Sequence, residues 1–539
     1  FFDAQKKFLS IKHNDPYNFD LYEIGIENRN RVVYQIGDWI VTGNETREDE
    51  VIYLSGDLYI KPGGNLTLID VTLIFASEES RECQIRIEST GIFTILDKTR
   101  IYPSDVSSYI KISAEDNSTL SVIDSTIYLD RNATGYLGGI YAYKAKITIN
   151  NSAIIGGYYG FYFYDELEVQ IIDTTITDSF IGIYCMRASN IEVIHTVVSD
   201  ISFNAIVCYE SQNIIVMTTN ITESDSIAFY VHNSSQIEIK NNLISYNTPI
   251  GILVMDSEKI NISHNSLVNN SDKGLDIISS REIVISDNTI LNSSETGIRI
   301  KNSEVILIGN TIMNNSETGL YIEESITTTI NNTIKWNRER GIYCKASSLT
   351  SSGDEILNNN GFGVYASEST INISKVLVNN NTYGLYFVNT LVSINASRIV
   401  NNTMDGIYII GTASYPNANI THSIIEGNNN GITLSNVNEI IILRSNVTKN
   451  RGHGIYFNGK YLEAHQNNIY SNEGFGLINA NVDGLADARY NWWGSAKGPE
   501  KKNEPDPSDP EEIHGKVKYL SLIHISEPTR PRLISYAVF

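Results

Sequence analysis

Cysteine, cationic side chains and long apolar runs are all scarce in this chain, and each shortage closes a class of function. The four Cys of 539 residues (Cys83, Cys185, Cys208 and Cys344) form no CxxC pair and no Cys/His cluster. That argues against a zinc site or a disulfide scaffold, and the thiols read as core residues. Lys and Arg number 40 against 62 Asp and Glu, for a formal charge of −22 and a pI near 4.9. Phosphate backbones need a basic surface, so nucleic acid is excluded as a partner. The longest apolar stretch, around residues 154–164, falls short of the ~20 residues a membrane helix needs. No cofactor is called for; calcium alone is left open, as a counter-ion for acidic oxygens. The chain begins at Phe1 with no visible leader, as a processed or trimmed product would.

Asparagine is what the chain has in excess, with 59 residues. Eighteen of them open N-x-S/T sequons: Asn44, Asn65, Asn117, Asn132, Asn150, Asn220, Asn233, Asn261, Asn269, Asn292, Asn314, Asn331, Asn372, Asn380, Asn395, Asn401, Asn419 and Asn446. They are read as N-glycosylation acceptors of an extracellular protein.

A refrain runs through the sequence. A small residue followed by an apolar one recurs from Gly139 to Gly476 at steps of 21 to 25 residues. Each unit reads "G-I-x-I", a polar turn, then "I-x-I-x-x-N-x-I" and an Asn-rich stretch. Both apolar segments alternate with period 2, which predicts strands, and no segment holds a helical period. A repeat of this length with this phrasing predicts an all-β, right-handed parallel β-helix of about 20 coils of about 22 residues. At ~4.8 Å per coil such a solenoid is a rod on the order of 95 Å. Asn242, Asn265, Asn288, Asn310 and Asn332 recur at steps of 22 or 23. Stacked coils would align them as a structural asparagine ladder. The expected division is an N-terminal cap over 1–36, the β-helix over 37–496 and a truncated closing segment over 497–519.

The glycine-led coils and the segment "ARYNWWGSAKGP" (488–499) resemble the right-handed β-helix repeat proteins of the pectin-lyase-like superfamily. The type is the NosD-like, carbohydrate-binding and sugar hydrolysis repeat of archaeal and bacterial envelope proteins. In that family an "NWWG…GP" segment closes the last coil; here it is Asn491 to Gly494 with Gly498 and Pro499. The resemblance implies the fold and, more loosely, an archaeal surface protein. It fixes no activity, because the same coils host lyases, hydrolases, epimerases and adhesins. The copper-delivery role implied by the family name finds no Met or His cluster here. Residues 520–539 resemble a translated sequencing adapter, which would make them foreign and the chain a metagenomic fragment.

Pectin-cleaving members of the superfamily carry "NTD", "DD", "GHG" and "RIK". This chain has "RIK" at Arg299–Lys301 and "GHG" at Gly452–Gly454, in reversed order, with no Asp-Asp dipeptide and no "NTD". Seven coils separate the two motifs, on the order of 30 Å, whereas glycoside hydrolysis needs two carboxylates about 5–10 Å apart. At the outward phase of "G-I-x-I" stand Tyr141, Tyr162, Tyr184, Tyr230, Tyr321, Tyr343, Tyr365, Tyr386, Tyr408 and Tyr456. This stripe has three readings: mutual support at roughly 0.2–1 kcal/mol per pair, a platform for sugar rings, or a face covered by another subunit. It is broken by Leu253, Asp276 and Arg299. Asp276 and Arg299 read as a cross-strand ion pair. Behind that reading stands the lyase arrangement the resemblance implies, an Arg base beside a calcium-holding Asp.

The function expected is therefore an extracellular, glycosylated structural or adhesive component of a cell surface, matrix or filament. Its partners would be copies of itself, other surface proteins or polysaccharide bound at the tyrosines. The alternative is a polysaccharide lyase or glycoside hydrolase. One expectation is independent of function. Asn269, Asn292 and Asn314 fall on one corner of adjacent coils only ~4.8 Å apart, so glycans on all three would collide. Intact-glycopeptide mass spectrometry should find at least one of the three unoccupied; full occupancy of all three contradicts the coil register.

Overall fold

The structure is a computed structural model describing residues 31–76, 81–105, 107–130, 138–414, 416–495, 498–500 and 512–519. The chain divides into two compact units, Phe1–Val197 and Val198–Phe539. Every regular element among the described residues is a β-strand. No helix there is long and apolar enough to cross a membrane.

One turn of the second unit shows the logic. Lys273–Ile278 forms the first face, Arg281–Ser286 the second and Thr289–Leu291 the third. Each pairs in parallel with its counterpart one coil later: Ile298–Lys301, Glu304–Ile308 and Thr311–Met313. Alternation sends Leu275, Ile277, Ile283, Ile285 and Ile290 inward, all at most 1% exposed. Ile298, Ile300, Val305, Leu307 and Ile312 stack directly on them in register. Burying each such side chain stabilises by roughly 1.5–3 kcal/mol, and a one-residue slip would turn the whole set outward. The first unit repeats the scheme: Gly139–Tyr143, Lys146–Asn150 and Ala153–Ile155 pair in parallel with the following coil. These are the coils of a right-handed parallel β-helix.

Three corners close each coil, and most use the left-handed backbone region, as at Ser279 (φ 50°), Asp287 (φ 54°) and Asn292 (φ 59°). Beside each bend a buried polar residue repeats along the stack. At the first corner serines from Ser211 to Ser369 form rungs, each backbone N–H donating to the next Ser Oγ at 3.0–3.1 Å. At the second corner Asn242, Asn265, Asn288, Asn310 and Asn332 are buried. Each Oδ1 from Asn265 onward accepts both the backbone N–H and Nδ2–H of the rung before it, at 2.8–3.0 Å. Asp354 ends this ladder. Its carboxylate takes the two donors of Asn332 and the hydroxyls of Thr329 and Ser351, and it has no amide to pass on.

The third corner holds a longer ladder, Asn315, Asn337, Asn359, Asn381, Asn402, Asn428, Asn450 and Asn472, bonded in the same double fashion at 2.8–3.3 Å. It explains the refrain's glycine. A Cβ on Gly319 would sit 2.7 Å from Asn337 Nδ2 and 2.8 Å from the Gly341 carbonyl oxygen. The marker position is glycine because an amide rung and a neighbouring backbone close over it.

Coil pairing reaches past both expected borders. Arg31–Gln35 lies inside the expected cap, yet pairs in parallel with Glu50–Leu54. Ile513–Gly515 and Val517–Lys518 add a further parallel layer on Leu477–Asn479 and Leu485–Asp487. In the closing segment Trp493 is fully buried, its ring 3.2 Å from where a Cβ on Gly476 would stand. The cap over residues 1–30 and the adapter-like tail over 520–539 lie outside the described residues. All four cysteines are buried and none is in a disulfide, and burial pushes the Cys344 thiol up to about 11.

Replacing Asn337 by Leu keeps the volume but strands the two donors of Asn315. At about 1–3 kcal/mol per orphaned buried donor, the loss should be about 2–6 kcal/mol in chemical denaturation. A loss under 1 kcal/mol would show that the third-corner ladder adds nothing.

Candidate functional site

On the first face of the second unit, the outward register runs Tyr230, Leu253, Asp276, Arg299, Tyr321, Tyr343, Tyr365, Tyr386, Tyr408, Thr433, Tyr456. Five consecutive rungs, Tyr321 to Tyr408, stack ring on ring. Their centroids are 4.8, 5.4, 5.6 and 4.7 Å apart, with planes within 23° of parallel. Phe362 and Tyr383 form a parallel pair beside them, 5.1 Å apart and edge-on to Tyr365 and Tyr386. The Arg340 guanidinium covers Tyr343 at 5.2 Å, and Glu323 on the other flank bridges Lys301 (3.2 Å) and Lys345 (3.4 Å).

This geometry corrects one part of the expectation. Rings stacked on one another direct their faces along the solenoid axis, each covered by its neighbour. What the column offers outward is ring edges and phenol oxygens, one per coil, and every stripe tyrosine is half-buried. A sugar could not lie flat on these faces but could hydrogen-bond across the row. Burial raises the phenols of Tyr321, Tyr365, Tyr386 and Tyr408, with nearby phenols or carboxylates adding to the shift. They therefore remain protonated donors at neutral pH.

In the first unit Tyr162 and Tyr184 stack at 5.4 Å and 2°, and Tyr141 tilts onto Tyr162 at 5.7 Å. Tyr159 wedges edge-on against all three. Beside them Tyr143 and Tyr164 form a second stack, their rings covered by Lys144 and Arg187.

The polar break in the second unit is a closed ion pair. Arg299 binds Asp276 through two hydrogen bonds, Nε to Oδ1 at 2.9 Å and Nη2 to Oδ2 at 2.6 Å. Asp276 sits at an outward register position yet is only 1% exposed, so neither side chain is free to act as base or ligand. At the adjoining corner Lys273 binds Asp272 at 2.6 Å and Glu295 at 3.3 Å. Burial pushes Asp272 up, but hydrogen bonds from Glu295 and Lys273 outweigh it and hold the carboxyl below its usual value. Glu295 is raised chiefly by its bond to Asp272. The two carboxyls are both held by Lys273, and this arrangement does not flank a space for a glycosidic bond. Among the described residues no group of three or more His, Cys, Asp and Glu is arranged to hold a metal ion.

The "GHG" histidine is built into a corner. The His453 N–H donates to Asn430 Oδ1 at 2.9 Å, and its Nδ1 accepts the Phe475 N–H at 3.1 Å. Burial holds its pKa below the ordinary value, against the pull of Asp405. An open concavity of about 790 Å³ lies away from the tyrosines along the first corner, over Ser257, Ser280 and Ser303 with Asp256, Glu258 and Glu304 on its rims. The hydroxyls of Ser280 and Ser303 there donate to carbonyls two residues back in their own coil.

The expected ladder asparagines Asn242 to Asn332 lie at the second corner, and the sequons scatter over exposed or half-buried positions; Asn132 lies outside the described residues. The doublets at 269–270, 314–315, 380–381 and 401–402 split roles. The first Asn is a left-handed corner residue with φ 55–60°, and the second is a buried rung. Sequence reasoning saw the sequon and missed the rung, although its constant offset of three or four residues before the marker glycine was available. It also missed Phe362 and Tyr383, which precede the marker instead of following it.

A family model described as "Right handed beta helix region" matches residues 138–286, 277–417 and 370–482. No curated protein matches the chain. Among solved structures, it is similar to the periplasmic alginate epimerase AlgG (13% identity, 58% of this chain and 73% of that one, TM-score 0.36). It is also similar to the Streptococcus pneumoniae surface protein and adhesin PfbA (14%, 63% and 88%, TM-score 0.30). A third is the catalytic unit of a Streptomyces thermodiastaticus GH87 alpha-1,3-glucanase (14%, 62% and 59%, TM-score 0.30). Identities and scores this low lend the chain no activity or ligand.

His453 gives a pH dependence with a definite sign. The folded state favours the neutral ring, so its stability is full above the ordinary histidine value of about 6.5. It falls as pH drops below that value, because the unfolded chain then binds the extra proton. Urea midpoints should decline from pH 7 to 5 more steeply than in His453→Asn, where an amide oxygen can replace Nδ1 as acceptor. Equal slopes would remove His453 from the account.

Proposed function

The chain belongs to the right-handed β-helix family, and from that premise we propose an extracellular, glycosylated component of a cell surface, matrix or filament that holds polysaccharide along its tyrosine column. The carrying observation is the uninterrupted stack from Tyr321 to Tyr408, which aligns phenol hydroxyls at one per coil on an outer face. Such a row suits a long repeating chain better than a small molecule, because each contact is weak and the binding strength comes from many in register. Hydroxyl-rich polymers supply the acceptors and donors that ring edges and phenol oxygens need, without requiring the covered ring faces. The acidic surface and the 18 sequons support an exterior location. The commitment of Arg299 to Asp276, and of Asp272 and Glu295 to Lys273, favours binding over cleavage as the activity.

Affinity electrophoresis through gels containing different neutral and acidic polysaccharides tests this. The wild type should be retarded by at least one. The triple variant Tyr343→Phe, Tyr365→Phe, Tyr386→Phe keeps the stack but loses three hydroxyls. It should bind about 2- to 10-fold more weakly per hydroxyl with unchanged melting. Retardation equal to wild type would take the tyrosine row out of the binding site, and a wild type that no gel retards would refute the proposal.

A further inference from the structure

The chain contains three Asn-Gly pairs, Asn360–Gly361, Asn430–Gly431 and Asn458–Gly459. Asparagine before glycine is the dipeptide most open to attack by the following backbone nitrogen on the side-chain amide, because glycine has no Cβ to hinder it. Fold decides whether the attack can occur, and the three pairs sit in three different environments.

Asn430 is locked. Its Nδ2 donates to Asp405 at 2.9 Å, its Oδ1 accepts the His453 N–H at 2.9 Å, and the Gly431 N–H donates to the His453 carbonyl. Asn458 lies inside the strand Ile455–His465, half-buried and paired with Ser435, and Gly459 is buried. Asn360 differs. It is exposed at a corner between strands, and only its backbone is held, the N–H by the Asn337 carbonyl and the C=O by the Thr382 hydroxyl. Glycine is also fixed at 361, because a Cβ there would stand 2.1 Å from the Glu339 carbonyl oxygen. The coil thus requires the residue that makes Asn360 labile.

We propose that Asn360 is a built-in deamidation site, converting without an enzyme to aspartate and isoaspartate. The Gly361 nitrogen bonds to Cγ of Asn360, the Cγ–Nδ2 bond breaks, and ammonia leaves with the proton the nitrogen gives up. Water then opens the resulting succinimide at either carbonyl. Opening at one carbonyl gives aspartate. Opening at the other leaves isoaspartate, which adds a methylene to the main chain at position 360, two residues before Phe362. That strand, Phe362–Ser367, carries Tyr365 and pairs in register with the rungs of Tyr343 and Tyr386. Either product places a new charge at the flank of the tyrosine column, and isoaspartate a longer backbone as well.

Peptide mapping after prolonged incubation of the folded protein at mildly alkaline pH, with isoaspartate detected by enzymatic methylation, tests the site. Asn360 should convert roughly tenfold or more ahead of Asn430 and Asn458, since freeing even one hydrogen-bonded group costs a factor of that order. In urea the three pairs should converge, because protection comes from the fold. Asn360→Gln should abolish the early product while leaving the tyrosine near-ultraviolet signal unchanged. Equal rates in the folded protein, a faster Asn430 or Asn458, or an intact Asn360 would each overturn the proposal.

Discussion

Parallel coils stack only if every corner can turn the chain sharply and still satisfy the polar groups it buries there. Backbone groups shut away from water without partners cost free energy comparable to a lost hydrogen bond, and each coil here turns three times. One solution recurs along all three corners. One residue takes the left-handed bend, and the next sends its side chain up the stack to the backbone N–H of its neighbour. Serine does this at the first corner, asparagine and further along serine at the second, and asparagine at the third. Everything else depends on that constraint. It sets the register, the register aligns the inward isoleucines, and the same register brings five tyrosine rings into contact on the outer face.

The outer face follows from the core without separate design. Tyrosines one coil apart are held near 5 Å by backbone pairing alone, so stacking needs only matching rotamers. Where the rung changes type the column ends: Arg299 below Tyr321 and Thr433 above Tyr408. The ion pair of Asp276 with Arg299 fills the space that ring stacking would otherwise fill. Removing either partner would leave a buried or half-buried charge alone, which generally costs more than the pair contributes.

Much of this was legible in the sequence because a solenoid writes its period into the chain. The step between marker glycines located the first-face strand, and the recurrence of Asn242 to Asn332 located one corner. The pairing of Asp276 with Arg299 followed from their equal phase one coil apart. Legibility failed where one residue type serves two roles. An Asn doublet offers a sequon and a ladder rung side by side, and only side-chain direction separates exposed Asn314 from buried Asn315. Serine in a turn is so ordinary that the rungs from Ser211 to Ser369 carried no signal. Phase alone gave the side of the sheet on which the tyrosines stand. It could not say that their faces cover one another, because ring orientation is set by neighbours and not by periodicity.

The most direct measurement is an experimental structure of the native protein, glycans retained, with a bound oligosaccharide from whichever polysaccharide it retains best. The account expects sugar density running along the axis beside the Tyr321 to Tyr408 edges, with phenol oxygens at hydrogen-bond distance and the rings still stacked. An oligosaccharide lying across Asp276 and Arg299 with their ion pair broken, or rings unstacked to receive sugars on their faces, would contradict it.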